Sequence, residues 1–236
     1  ASAGDTDFPA VAGETLEHRT RVIDEWLVAQ TLAGTSIEPL FSELCDQLAE
    51  LVCVSSVFIT TRAIHPLVAA TALAWREDTG SESFQVLHGA TGDVAWRQSP
   101  LRALVEEGSM MRRYRLEEAG NSTQFPILLA ERERGATDYL ALMTPFVDVS
   151  LACVAPDEAG LPECRDGMLS SWVTHKPDGF SDADIEGLRF LTRRLGVAVK
   201  LRQREQTASS VVSAYLGPHA GQRVLDGQIK LGDGEM

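Results

Sequence analysis

The apolar residues of this chain change period twice, and that change limits the fold more than any other feature of the sequence. Leu16, Val22, Ile23, Trp26 and Leu27 recur near helical spacing, and Phe41, Leu44, Leu48 and Leu51 repeat the pattern after Gly34. From Val54 the pattern becomes that of strands: VSSVFITTR (54–62) and LVAATALAW (67–75) are β-branched or alternating and are separated by His65-Pro66. A third strand is expected over SFQVLH, ending at Gly89. Ser99-Pro100 starts a helix that stops at Gly108, with Ser99 as its cap. A short strand near MMRRYRL, a helix over PILLAERER and strands over TDYLALMTPFV and LSSWVTH follow. Residues 148–166, with Pro156, Gly160 and Pro162, read as a loop or insertion that holds a strand start at VSLACV.

The helical period returns at Ser181-Asp182-Ala183-Asp184, a capping-box start to a helix carrying Ile185, Leu188, Leu191, Leu195 and Val199. Its stripe continues, diluted by Arg202, Arg204 and Glu205, toward Val211, Val212 and Tyr215. Terminal helices around antiparallel strands define an α+β domain: a central antiparallel sheet with the N- and C-terminal helices on one face. The expected divisions are a tail (1–13), a domain body (14–200) and a helical linker (201–236).

A chain of 236 residues suits one core plus an extension. Its net charge of −13 opposes binding to phosphate backbones and anionic membranes, so neither nucleic acid nor a membrane is an expected partner. The first residues lack the basic segment and apolar run of a signal peptide, and a cytoplasmic location is expected. Cys45, Cys53, Cys153 and Cys164 lack metal-ligand spacing and read as free thiols.

Single residues offer few chemical leads. His65 and His88 have no acidic or thiol partners nearby and read as structural. Trp75 and Trp96 suit a core or a pocket wall, and with Tyr139 and Cys153 they are the candidate ligand-pocket residues. Strand alternation places Arg113 and Arg115 on one face and Arg112 on the other, as a solvated basic patch. Arg132 and Arg134, amid Glu131 and Glu133, read as a mixed helix surface.

Two stretches carry a family resemblance. THKPDGFSDADIEGLRFLTRRLGVAV resembles the end of a GAF domain: a last strand, a polar turn, Phe-Ser-x-x-Asp and the C-terminal helix. Lys176, Phe180 and Asp184 match the cyclic-nucleotide-type GAF pattern, while His175 stands where that pattern has Asn and Ile185 where it has Glu. The resemblance implies a structural salt bridge from Lys176 to Asp184. The tail, SAYLGPHAGQRVLDGQIKLGDGE, resembles the segment leading into the catalytic domain of bacterial class III cyclases, through Tyr215, Leu216, Gly217, Ala220, Gly221, Val224, Leu225, Gly227 and Gly232–Glu235. RAIHPL, Trp75, QSPL and GATDYLAL resemble the sensor region of such cyclases.

These resemblances imply a regulatory, small-molecule-sensing region of an adenylate or guanylate cyclase. A homodimer through the terminal helices is expected, with Ile185, Leu188, Leu191, Leu195 and Val199 as the dimer and signalling stripe and a cyclase domain as the partner that follows. The resemblance ends ahead of the metal-binding aspartates of such cyclases. No catalysis, metal or cofactor is therefore expected within this stretch, beyond an unidentified small-molecule ligand. Two other readings are a free-standing GAF-fold redox enzyme of the methionine sulfoxide reductase type, which needs clustered thiols, and a ligand-free dimerisation spacer.

Overall fold

A computed structural model describes residues 15–62, 68–87, 93–118, 120, 124–146, 166–225 and 227–228. Two helices open it, α1 (Leu16–Ala33) and α2 (Ile37–Val52). The Thr15 hydroxyl caps α1 by accepting from the His18 amide at 3.3 Å. α2 buries Leu40, Phe41, Leu44, Cys45, Leu48 and Val52 along one side, as its helical spacing requires. It ends at Cys53 in the left-handed region (φ 56°), which turns the chain directly into the first strand.

The strands are β1 (Val54–Arg62), β2 (Val68–Arg76), β3 (Gly80–Leu87), β4 (Met111–Arg115), β5 (Asp138–Pro145) and β6 (Gly167–Thr174). They form one six-stranded sheet in the order β3-β2-β1-β6-β5-β4, with every adjacent pair antiparallel. Between the strands lie α3 (Asp93–Arg97), α4 (Pro100–Glu106) and α5 (Pro126–Glu133), and α6 (Asp182–Leu216) and α7 (Pro218–Leu225) close the chain. The sequence did not signal α3, a five-residue helix too short to show a period. β3 begins at Gly80, earlier than expected, because the tight turn after Arg76 pairs Gly80 with Arg76 and extends the ladder. His65, His88, Cys153, Cys164 and the strand start at VSLACV lie outside the described residues.

Central strands buried on both faces separate two cores. On one face, the register aligns Leu140, Trp172, Val57 and Trp75 in a row across β5, β6, β1 and β2. α1, α2 and α6 cover this row with Ile23, Leu27, Phe41, Leu44, Leu188, Leu191 and Leu195. On the other face, Tyr139, Ala141, Leu169 and Val173 pack with α4, α5 and Tyr114. The terminal helices thus share one face of the sheet, as the sequence pattern requires.

Helix α6 runs for 35 residues without a break, passing from the domain body into the tail. It is followed at Gly217 (φ 78°) by α7, which folds back along it: a β-carbon on Gly221 would lie 3.1 Å from the Ser213 Cα. Only a glycine lets the two backbones come this close.

Candidate functional site

The face of the sheet away from the terminal helices combines rings, small side chains and buried polar groups. Tyr114 and Tyr139 are cross-strand partners whose rings meet edge to face at 6.1 Å, and Tyr114 meets Phe125 in the same way at 5.9 Å. The next row across the sheet sets one ring among small side chains: Ala141, Ser171, Phe58 and Ala74 lie side by side. Trp96 packs half-buried at the margin of this cluster.

Ser171 hydrogen-bonds to Tyr139, whose phenol is pushed well above its ordinary pKa by burial. The Tyr114 hydroxyl is buried and has no hydrogen-bond partner, and burial raises its pKa as well. Both phenols therefore stay protonated and able to donate. On α5, Glu131 is only 2% exposed and forms a two-pronged ion pair with Arg76 of β2, while Arg134 lies 3.5 Å away. The mixed helix surface expected at residues 131–134 is corrected here, because Glu131 points inward and ties α5 across the sheet. Ser99 accepts from the Arg102 amide at 3.1 Å and is a helix cap.

The four pocket candidates do not converge. Trp75 lies on the opposite face, in the helix-side core, where its indole donates to Asp46 Oδ1 at 2.9 Å. Tyr139 and Trp96 share the second face, and Cys153 is outside the described residues. Cys45 is fully buried in the helix-side core, which raises its thiol pKa, and Cys53 is exposed at the end of α2. Among the described residues no group of three or more His, Cys, Asp or Glu side chains is placed to hold a metal, and no helix is long and apolar enough to cross a membrane.

Two charge clusters join the sheet to the start of α6. Lys176 Nζ lies 2.8 Å from Asp184 Oδ2, and Asp184 completes a capping box with Ser181. Burial pushes the Asp184 carboxyl up, but hydrogen bonds from Lys176 and Ser181 outweigh it and hold the group below its ordinary value.

The second cluster, which the sequence reading missed, centres on Asp138. This residue is fully buried, and its Oδ2 accepts from Arg113 at 2.9 and 2.6 Å and from the Phe180 amide at 3.0 Å. Arg113 also donates to the Phe180 carbonyl at 2.5 Å. The basic patch expected around Arg113 is therefore corrected: one of its arginines is a clamp. The signal available was an acidic residue directly before an apolar strand, a place where a carboxylate can be buried only if a cation reaches it.

The stripe Ile185, Leu188, Leu191, Leu195 and Val199 is also reassigned. All five are buried against the sheet and its neighbouring helices, so they hold α6 to its own domain and are not available to a second chain. The large apolar side chains exposed on the same helix are Phe190, Val197, Leu201, Val211, Tyr215 and Leu216.

No protein-family model matches the chain, and no curated protein matches it. Solved structures do. The phycoerythrobilin-bound GAF domain of a cyanobacterial phytochrome aligns with 79% of this chain and 97% of its own, at 11% identity and a TM-score of 0.50. The phycocyanobilin-bound GAF domain from a cyanobacterial phytochrome aligns with 79% and 96%, again at 11% identity and a TM-score of 0.50. The A. aeolicus nlh2 GAF domain in an inactive state covers 80% and 99%, at 11% identity and a TM-score of 0.48. The fold is GAF-like, of the α+β class.

Proposed function

We propose that this chain is the small-molecule-sensing and dimerising region that precedes the catalytic domain of a bacterial class III adenylate or guanylate cyclase. The observation that carries the proposal is α6. Its first half is packed into the domain core, and it continues without interruption into the segment whose residues, from Tyr215 to Glu235, resemble the lead-in to such a catalytic domain. Any change at the start of α6 is thereby delivered to whatever follows.

The ligand site in this reading is the second face of the sheet, above the Ala141–Ser171–Phe58–Ala74 row. The bilin-bound neighbours support a small molecule on this fold, and the unpartnered Tyr114 hydroxyl supplies a hydrogen bond for one. Tyr114 and Tyr139 face this site, while their chain neighbours Arg113 and Asp138 grip the turn at Phe180 on the opposite side. A ligand that moves the rings would move the clamp and hence α6, and such linkage needs only about 1–3 kcal/mol.

The test is a thermal-shift screen of nucleotides and small metabolites, because a ligand at about 100 times its Kd adds roughly 2.7 kcal/mol to the folded state. A stabilising ligand whose effect falls in Tyr114→Phe supports the site. Stabilisation unchanged by Tyr114→Phe removes this site. A flat screen favours the ligand-free spacer, a reading supported by the way the rings of Tyr114, Phe125 and Tyr139 already pack together.

A further inference from the structure

The core-facing stripe of α6 changes character where the helix leaves the domain body. It is apolar through Leu188, Leu195 and Val199, but the next positions on that side, four and seven residues beyond Val199, are Gln203 and Gln206. Beneath them two rows of the sheet run outward to its edge, Ile59–Leu73–Ser83 and Thr61–Thr71–Gln85, on the face that carries Val57 and Trp75. With the first turn of α2, at Ile37 and Glu38, these residues line a cleft of about 180 Å³. Its floor is apolar, since Ile59, Leu73 and Val199 are buried, whereas Glu38 and the polar ends of both rows are exposed at its mouth. The cleft lies across the sheet from the Tyr114–Tyr139 face and is independent of it.

We infer that this cleft is a further small-molecule site and that it takes a compact aliphatic amine bearing one more polar group. Hydrogen-bond supply calls for the polar group. The Gln203 amide nitrogen donates to Thr61 Oγ1 at 2.8 Å and to the Arg62 carbonyl at 3.2 Å, which uses both its protons and leaves the amide oxygen as an acceptor without a partner among the described residues. The Thr61 and Thr71 hydroxyls share one hydrogen bond at 3.2 Å, so one of their two protons is left over. A ligand hydroxyl, which donates and accepts at once, answers both groups.

Charge calls for the amine. Glu38 is the acidic group of the lining and has no ion pair among the described residues. Arg202, the cation of the lining, is already held by Glu205 and by the Thr31 carbonyl, the latter at 3.3 Å. The cleft thus presents a carboxylate and no uncommitted cation, in a chain of net charge −13, and so attracts ammonium groups and repels carboxylates and phosphates. Size sets the upper limit: sites for drug-sized molecules begin near roughly 300 Å³, so this cleft is too small for a nucleotide. An amine held between Glu38, the Thr61–Thr71 pair and Gln203 would tie α6 to α2 and the sheet at the point where α6 leaves the body.

The experiment titrates the full chain with aminobutanol, butanediol and hydroxybutyrate, which carry a cationic, a neutral and an anionic group on the same four-carbon alcohol, and follows the backbone amides by NMR. Aminobutanol is expected to give saturable shifts confined to 37–38, 59–61, 71–73, 83–85 and 199–206, with a Kd of about 1 mM. Butanediol should bind about fivefold more weakly, the upper end for an exposed ion pair, and hydroxybutyrate not at all. Glu38→Gln, a change at an exposed position, should bring aminobutanol down to the level of butanediol, while Thr71→Val should weaken both. No saturable shift in the cleft below about 10 mM, shifts spread over the acidic surface, or shifts centred on Tyr114 and Tyr139 would each overturn the site. Equal binding of aminobutanol and butanediol, or undiminished binding in Glu38→Gln, overturns the amine as its ligand.

Discussion

Asp138 and Gly179 approach so closely that a β-carbon added at Gly179 would lie 2.5 Å from Asp138 Oδ2. The backbone at Gly179 is also left-handed, with φ at 68°. Both facts arise because the turn before α6 must fold over Asp138 to let the Phe180 amide reach its carboxylate. Gly179→Ala therefore meets backbone strain and a steric clash together. A loss of more than about 2 kcal/mol is expected in urea unfolding, above the 1–2 kcal/mol of the left-handed backbone alone.

Removing the cation of the clamp should cost more than removing the charge of both partners. Arg113→Ala leaves a fully buried carboxylate without its counter-ion and is expected to lose about 3–5 kcal/mol. Asp138→Asn in the same background should recover part of that loss. Equilibrium unfolding of the three variants checks this, and a loss below about 1 kcal/mol for Arg113→Ala would show the pair to be no more than a surface contact.

The lowered pKa of Asp184 gives a pH dependence of defined sign. A carboxyl depressed in the folded state contributes stability that is complete above its unfolded value near 3.8 and is lost as pH falls through the folded value below it. Wild-type stability should therefore fall more steeply below about pH 4 than that of Asp184→Asn, with the two curves parallel at neutral pH. Unfolding midpoints measured between pH 7 and pH 3 decide the point.

Tyr114→Phe removes a buried hydroxyl that has no partner. Taking such a group away is neutral or stabilising, by up to about 1 kcal/mol, because nothing is lost but a desolvation cost. The same variant should weaken any ligand that bonds to the hydroxyl, so stability and ligand affinity are expected to move in opposite directions. Calorimetric unfolding with and without the stabilising compound measures both.

The α6–α7 hairpin depends on Gly221. Replacing it with leucine must force α7 off Ser213, where the contact is with backbone atoms that cannot swing aside. Amide exchange should then quicken across 218–225 while the sheet strands keep their protection.

The element types and the placement of the terminal helices were legible because the apolar period changes sharply at Val54 and again at Ser181. The salt bridge position at Lys176 and Asp184 was implied by the GAF resemblance. The direction of each α6 face was not legible, because two apolar stripes wind along the same helix and composition does not say which meets the sheet. Leu188 and Leu195 face the core, whereas Val197 and Leu201 face out. The Arg113–Asp138 clamp joins residues 25 apart in sequence to a turn more than 60 residues from Arg113, so only the strand order brings it together. The sheet faces likewise separated Trp75 from Tyr139, since nothing local fixes which face a lone aromatic takes.

The most direct measurement joins the chain, through its GDGE tail, to the catalytic domain of a bacterial class III cyclase and follows cyclic nucleotide production. Such active sites form between two catalytic domains, so the account predicts a dimeric, active fusion whose output drops to background in Val197→Asp with Leu201→Asp while its melting temperature holds. Equal output from the folded double variant would contradict the claim that this region controls the cyclase by bringing two copies together.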